Sequence, residues 1–272
     1  MTGQQPAAVY THGHQEAVLR SHRSRGAADS AAYLVPELRS GQALLDVGCG
    51  PGTITADLAE LVGPGGRVVA VDSSAEVLEQ AAAHVAGRGL SNVVFEVADV
   101  HQLQYGDGEF DVVHAHQVLQ HVADPVAALR EMRRVTAPGG VVAARDVDFA
   151  SMTWYPEAPA LECWLELCRR TSRANGGEPD AGRRLLSWAR AAGFTEVTAT
   201  ATAWTYATPE RRAWWGGMWA DRTVDSALAR AAVEKGFADR AELERIAAGW
   251  REWSTSEDGW FSMLHGEVLA RG

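Results

Sequence analysis

Between Gln42 and Asp148 the chain alternates short apolar runs with stretches of helical periodicity, and few folds accept that pattern. A parallel strand needs a crossover, usually a helix, before the next strand can lie beside it, so the alternation is the mark of βαβ units and a parallel sheet. Strands are expected at 43–47 (ALLDV), 67–71 (RVVAV), 93–97 (VVFEV), 110–114 (FDVVH) and 140–145 (GVVAAR), with helices near 53–62, 75–87 and 124–136. Asp124-Pro125 is an N-cap and first-turn pair for the last of these. The fold class is α/β, a doubly wound sheet with short connections.

Outside this core the pattern loosens. Ala31, Leu34, Val35 and Leu38 stand at i, i+3, i+4 and i+7 and predict a helix, so residues 1–40 read as an N-terminal helical cap over a core at 41–148. In 149–272 a helix around Leu161, Trp164, Leu165 and Cys168 ends in a Gly/Pro-rich loop, and a helix at 181–192 and a strand at 194–203 follow. Two or three helices fill 209–255, and a last strand covers 259–269. All ten tryptophans lie between Trp154 and Trp260. Trp164, Trp188, Trp250 and Trp253 fall at helical spacing with aliphatic partners, which is core packing. The run AWWGGMWAD is aromatic on two sides and must be buried on two sides, against the sheet and a bound ligand or at a homodimer contact.

Composition excludes several classes. No stretch approaches the ~20 apolar residues of a bilayer span, and the N-terminus lacks a basic and then apolar leader, so a cytoplasmic protein is expected. Three cysteines, Cys49, Cys163 and Cys168, make no disulfide framework and no zinc spacing, and no metal is expected. A net charge of −10 argues against nucleic acid and anionic membranes as partners, since both demand dense Lys/Arg. A small-molecule partner fits better.

The loop Asp46-Val47-Gly48-Cys49-Gly50-Pro51-Gly52-Thr53 joins the first strand to the first helix, where a Rossmann-like sheet receives the adenosine part of a cofactor. A dinucleotide loop would place its third glycine at Thr53, and no G-K-[ST] follows for a triphosphate. Asp46 would repel a pyrophosphate and attract an ammonium, which favours an amino-acid-bearing nucleoside. Asp72 closes the second strand with Ser73 after it, placed to accept both hydroxyls of a ribose, although a helix N-cap is a competing role. Asp99 closes the third strand, placed to accept from an exocyclic adenine amine.

The ordered set D-V-G-C-G-P-G-T, V-D-S-S, A-D-V, F-D-V-V-H-A-H-Q-V-L-Q-H-V-A-D-P and L-R-E-M-R-R-V-T-A-P-G-G resembles the motifs of class I S-adenosylmethionine-dependent methyltransferases, in the UbiE-like or methyltransferase-type-11 branch. The resemblance implies a seven-stranded sheet of order 3-2-1-4-5-7-6 with strand 7 antiparallel, and helical insertions at 149–180 and 209–255 forming a lid over the acceptor. It implies S-adenosylmethionine as cofactor, with Gly48, Gly50 and Gly52 along its methionine and ribose portion. Asp46 would lie near its ammonium, Asp72 on the ribose, Asp99 with Val100 at the adenine, and His116 and Gln117 between cofactor and acceptor.

The expected reaction is SN2 methyl transfer to a small, apolar or aromatic acceptor. A neutral imidazole can take a proton from a hydroxyl, so His116 is a candidate general base, with a packing histidine as the plain alternative. Asp146 and Asp148 could orient an acceptor, or cap a strand end. Arg25 and His22, in a basic N-terminal run, could meet a cofactor carboxylate. The rivals are the same fold used for non-methyl chemistry such as cyclisation, and a non-catalytic ligand-binding protein.

Overall fold

The computed structural model describes residues 25–272; His22 and the first half of the expected N-terminal cap lie outside them. Eight strands form one sheet: β1 (Ala43–Val47), β2 (Arg67–Asp72), β3 (Val93–Val97), β4 (Phe110–His116), β5 (Thr136–Val147), β6 (Thr153–Tyr155), β7 (Glu196–Tyr206) and β8 (Trp260–Arg271). β1 pairs in parallel with β2 and β4, β2 with β3 and β4 with β5. β8 runs antiparallel between β5 and β7, pairing Val142 with Ala270 and Val197 with Ala270 on its two edges. The order 3-2-1-4-5 followed by the antiparallel last strand and its partner is the expected one. The addition is β6, three residues that continue the β5 edge by pairing with Phe261 and its neighbours.

Side chains alternate across the sheet with the strand period of two. Leu45, Val47, Val69, Val71, Val113 and Ala115 face one way, toward α4 (Pro125–Val135) and α6 (Leu185–Ala191). Leu44, Val68, Val112, Val141 and Ala143 face the other, toward α2 (Thr53–Val62) and the chain at 27–38. Asp124 caps α4 by accepting the Ala127 N–H at 2.8 Å, as the Asp-Pro pair requires.

The helix expected over 31–38 is instead one turn, α1 (Ala27–Ser30), and a 3₁₀ turn at Val35–Glu37. Pro36 has no N–H to continue a helix and disfavours helical backbone at Val35. Ala31 and Leu34 are nonetheless buried, so the spacing reported burial rather than helix.

A third core gathers α5 (Pro159–Ala174), α7 (Pro209–Val224), α8 (Ala227–Glu234) and α9 (Arg240–Thr255) against β6–β8. Trp164 sits at its centre, edge-on to Trp219 at 4.5 Å and to Trp250 at 4.8 Å. Such aromatic pairs contribute ~0.5–1.5 kcal/mol each beyond area burial. Gly216 lets α7 approach α9, since a Cβ there would lie 2.6 Å from the Ser254 Cβ. Trp215, Met218 and Trp219 are buried within the chain, and Trp214 packs partly buried against the same core.

Candidate active site

At the carboxyl ends of β1, β2 and β4 a cavity of about 830 Å³ opens, the place where a doubly wound sheet binds its ligand. Asp46, Gly48, Gly50, Asp72, Ser73, Asp99, Val100, His116 and Gln117 all line it. Gly52 does not: a Cβ there would come within 2.9 Å of the Ala81 Cβ on α3 (Ala75–Gly87). It is a helix-packing glycine at the start of α2.

The glycine loop is tied to β2 by the Gly48 and Cys49 N–H groups, which donate to the Val71 carbonyl at 2.7 and 3.0 Å. Gly48 and Gly50 have φ of +67° and +54°, a region L side chains avoid. At Gly50 a Cβ would meet nothing within 4 Å, so the loop backbone faces open space. Asp72 bridges two loops, its Oδ2 accepting the Gly50 N–H at 3.1 Å and its Oδ1 the Ser74 N–H at 3.0 Å. The cap of α3 is Ser74, whose Oγ accepts from the Val77 N–H, so the competing role assigned to Asp72 belongs to Ser74.

Asp99 accepts from the His101 N–H at 2.9 Å and lies 2.8 Å from His101 Nδ1. Partial burial pushes its carboxyl up, but the His101 hydrogen bonds prevail and hold it below the ordinary value. Asp46 is buried with both oxygens engaged, by the Thr55 hydroxyl at 2.6 Å and His114 Nδ1 at 2.8 Å. Its carboxylate anchors β1 to α2 and β4 while contributing to the cavity wall.

His116 is buried, and among the described residues neither ring nitrogen has a hydrogen-bond partner. Burial, then Arg25 and Arg145, hold its pKa well below the usual imidazole value, so it is neutral. His121 is pushed down to about 3 by burial, Arg222 and Arg25. Gln117 is the single non-glycine residue with positive φ among the described residues, at +56°. Strain of this kind persists only where surrounding structure imposes it, and it concentrates at functional sites. Here the Gln117 N–H donates to the Arg145 carbonyl at 2.7 Å, and its side-chain amide lies 3.1 Å from His265 Nε2. The ring of His265, from β8, packs against that of Trp204 at a tilt of 53°, with centroids 4.3 Å apart.

Asp148 takes the Arg183 guanidinium at 2.6 and 2.8 Å. Asp146 accepts the Gln120 N–H at 3.2 Å. Neither lines the cavity, so strand-end duty describes them both. The opposite wall comes from the second half of the chain: Phe149, Met152, Trp204, Trp215, Trp219, Arg222 and Met263. Of these, sequence spacing singled out only the tryptophans. Arg222 follows Trp215 and Trp219 at i+7 and i+3, a stripe that was available to be read.

Residues 38–193 match the family model of a methyltransferase domain. The chain belongs to the methyltransferase family. An uncharacterized methyltransferase of Schizosaccharomyces pombe is 31% identical over 268 residues, spanning 96% of this chain and 95% of its own. A probable methyltransferase, ltbC, of Aspergillus luteorubrus is 30% identical over 283 residues, 96% of each chain. Among solved structures the [4+2]-cyclase SpnF aligns with a TM-score of 0.55 and 27% identity, over 90% of this chain and 81% of that one.

The cofactor of this methyltransferase is S-adenosylmethionine, and the residues present fit it. The methyltransferase offers an open glycine backbone at Gly50, a carboxylate fixed at the end of β2, a second at the end of β3, and a cavity large enough for cofactor and acceptor together.

Proposed function

We propose that this methyltransferase acts on a small, planar, apolar or aromatic acceptor held against the Trp-rich wall, with the segments 149–180 and 209–255 serving as its lid. The observation that carries the reading is that Trp204, Trp215, Trp219, Met152 and Met263 line the same cavity as Gly48 and Asp72. In this reading Asp72 and Ser73 hold the ribose, and Asp99 and Val100 the adenine. Gly48 and Gly50 flank the methionine portion and Asp46 lies near the ammonium. His116 and Gln117 stand between cofactor and acceptor.

When bound, the cofactor supplies a methyl group on a sulfonium centre. The chain contributes alignment of the acceptor atom and exclusion of water, the former alone worth up to ~7–11 kcal/mol in well-oriented reactions. The Trp wall suits a cationic neighbour, because an aromatic face attracts positive charge without neutralising it. His116 is neutral and so able to accept a proton, but its imidazolium is opposed by Arg25 and Arg145. We assign it a hydrogen-bonding role in the wall in preference to that of general base.

No helix among the described residues is long and apolar enough to cross a membrane, and the net charge of −10 disfavours nucleic acid. We therefore place the enzyme in the cytoplasm with a free small molecule as acceptor. Isotope-labelled S-adenosylmethionine, offered with planar hydroxy-aromatic compounds, aliphatic amines, peptides and DNA, should label the first group. Label appearing only in a macromolecule would refute the reading. Cyclisation is kept as a second reading because SpnF shares the fold; it requires a product of unchanged mass with the cofactor unconsumed.

A further inference from the structure

The sheet has two outer strands, β3 and β7, and they meet solvent differently. β3 is five residues long and carries Glu96. β7 runs for eleven, from Glu196 to Tyr206, and pairs with β8 residue for residue without a bulge. Among the described residues no strand lies along its other edge. Thr198 to Ala203 are all exposed, and the stretch 197–205 contains no charge, proline or glycine. Edges that stay single are blunted by charge, proline, bulges or brevity, because bare N–H and C=O groups template a further strand. We propose that the β7 edge pairs with β7 of a second copy of this chain, antiparallel about a two-fold axis at Ala201. Two eight-stranded sheets then join into one.

Charge around that axis selects a second copy as the occupant. An antiparallel pair centred on Ala201 sets Glu196 opposite the partner's Tyr206, and side chains directly opposite share a face. Arg211, in the first turn of α7, stands over the Tyr206 ring with its guanidinium carbon 5.1 Å from the centroid. Glu196 and Arg211 are both exposed, and neither has an ion pair among the described residues. The two-fold brings each carboxylate toward the other copy's guanidinium, once at either end of the paired strands. An interface made of the same patch twice must be complementary to itself in this way.

The two faces of β7 agree with the pairing. The Thr200 and Thr202 hydroxyls donate to Glu267 at 2.8 and 2.5 Å, so the strand is fixed before it pairs and loses little freedom on doing so. On the opposite face Ala199, Ala201 and Ala203 form a stripe of small side chains. Leu264 of β8, 46% exposed, lies beside Ala203. The two stripes meet at the axis, where Ala201 faces its own copy and bulk or charge would be doubled.

Sedimentation velocity over a concentration series should give twice the mass of the chain. Ala201→Lys opposes two ammonium groups at the axis and should yield the monomer, with S-adenosylhomocysteine binding unchanged in calorimetry as the check on folding. Glu196→Arg and Arg211→Glu should each raise the dissociation constant about tenfold, through two symmetry-related pairs, and the two together should restore it. Ala201→Cys, in a Cys163→Ser background that removes the exposed native thiol, should form a disulfide between copies under mild oxidation. Residues directly opposite in such a pair bring their Cβ atoms within disulfide reach. Thr198→Cys, opposite the partner's Trp204, should not cross-link. A wild-type chain that stays monomeric overturns the inference. So does a dimer that survives Ala201→Lys or fails to cross-link through Ala201→Cys, since its interface lies elsewhere.

Discussion

Gly52→Ala separates a packing glycine from a cofactor-binding one. Gly52 has φ +79°, and an L side chain in the left-handed region costs ~1–2 kcal/mol. The new Cβ would stand 2.9 Å from the Ala81 Cβ, 3.0 Å from its Cα and 3.2 Å from its carbonyl oxygen. Two of those three atoms are helix backbone and cannot swing aside, so overpacking adds ~1–3 kcal/mol. The sum, about 2–5 kcal/mol, is a large part of the ~5–15 kcal/mol by which a typical domain is stable. Urea denaturation should show the loss as a lower midpoint. Ala81→Gly in the same chain should recover only the Cβ–Cβ part, because crowding against the α3 backbone and the φ penalty remain. The folded fraction of Gly52→Ala should bind S-adenosylhomocysteine within a few-fold of wild type by calorimetry. An unchanged midpoint with cofactor binding lost would refute this reasoning and return Gly52 to the cavity.

Asp72→Ala removes the acceptor shared by Gly50 and Ser74 and should weaken S-adenosylhomocysteine binding by ~1–3 kcal/mol in calorimetry. Asp146 has its carboxyl raised to about 7, by burial first and against the hydrogen bonds from Gln120 and Leu119. The folded state therefore binds the proton more tightly than the unfolded one, and stability contributed below the unfolded pKa is lost as pH rises through about 7. Asp146→Asn should flatten the urea-midpoint profile between pH ~4 and 7; an unchanged slope would count against the shift. Glu267 accepts from Arg145 at 3.1 Å and from Thr200 and Thr202. Glu267→Ala leaves a fully buried guanidinium without its counter-charge and should cost ~3–5 kcal/mol in urea melts.

The bounds of β1, β3, α2 and α3 are those expected from sequence, because each is a local pattern ended by glycine or a polar turn. What lay beyond reach depends on residues distant in the chain. β5 reaches back to Thr136 and β6 exists at all only through their pairing partners. The resemblance marks Gln117 as a site residue, but its strained backbone emerges only when β4 ends against Arg145 and His265. Three carboxylates at strand ends were legible because the parallel sheet brings successive strand ends together. The partners that occupy Asp46 and the arginine that completes the opposite wall required the folded chain.

The antiparallel β8 has a consequence for how the molecule is assembled. Val142 waits for Ala270 and Tyr206 for Phe261, so β5 and β7 carry open edges on a growing chain until the last strand emerges. The strands that bear the glycine loop, Asp72 and Asp99 are all made before that, and their pairings close over short loops. The Trp-lined wall closes over a much longer one, at a larger entropic cost. A nascent chain thus gains its nucleoside-facing half first, and the half that meets the acceptor only when β8 zips the two open edges together.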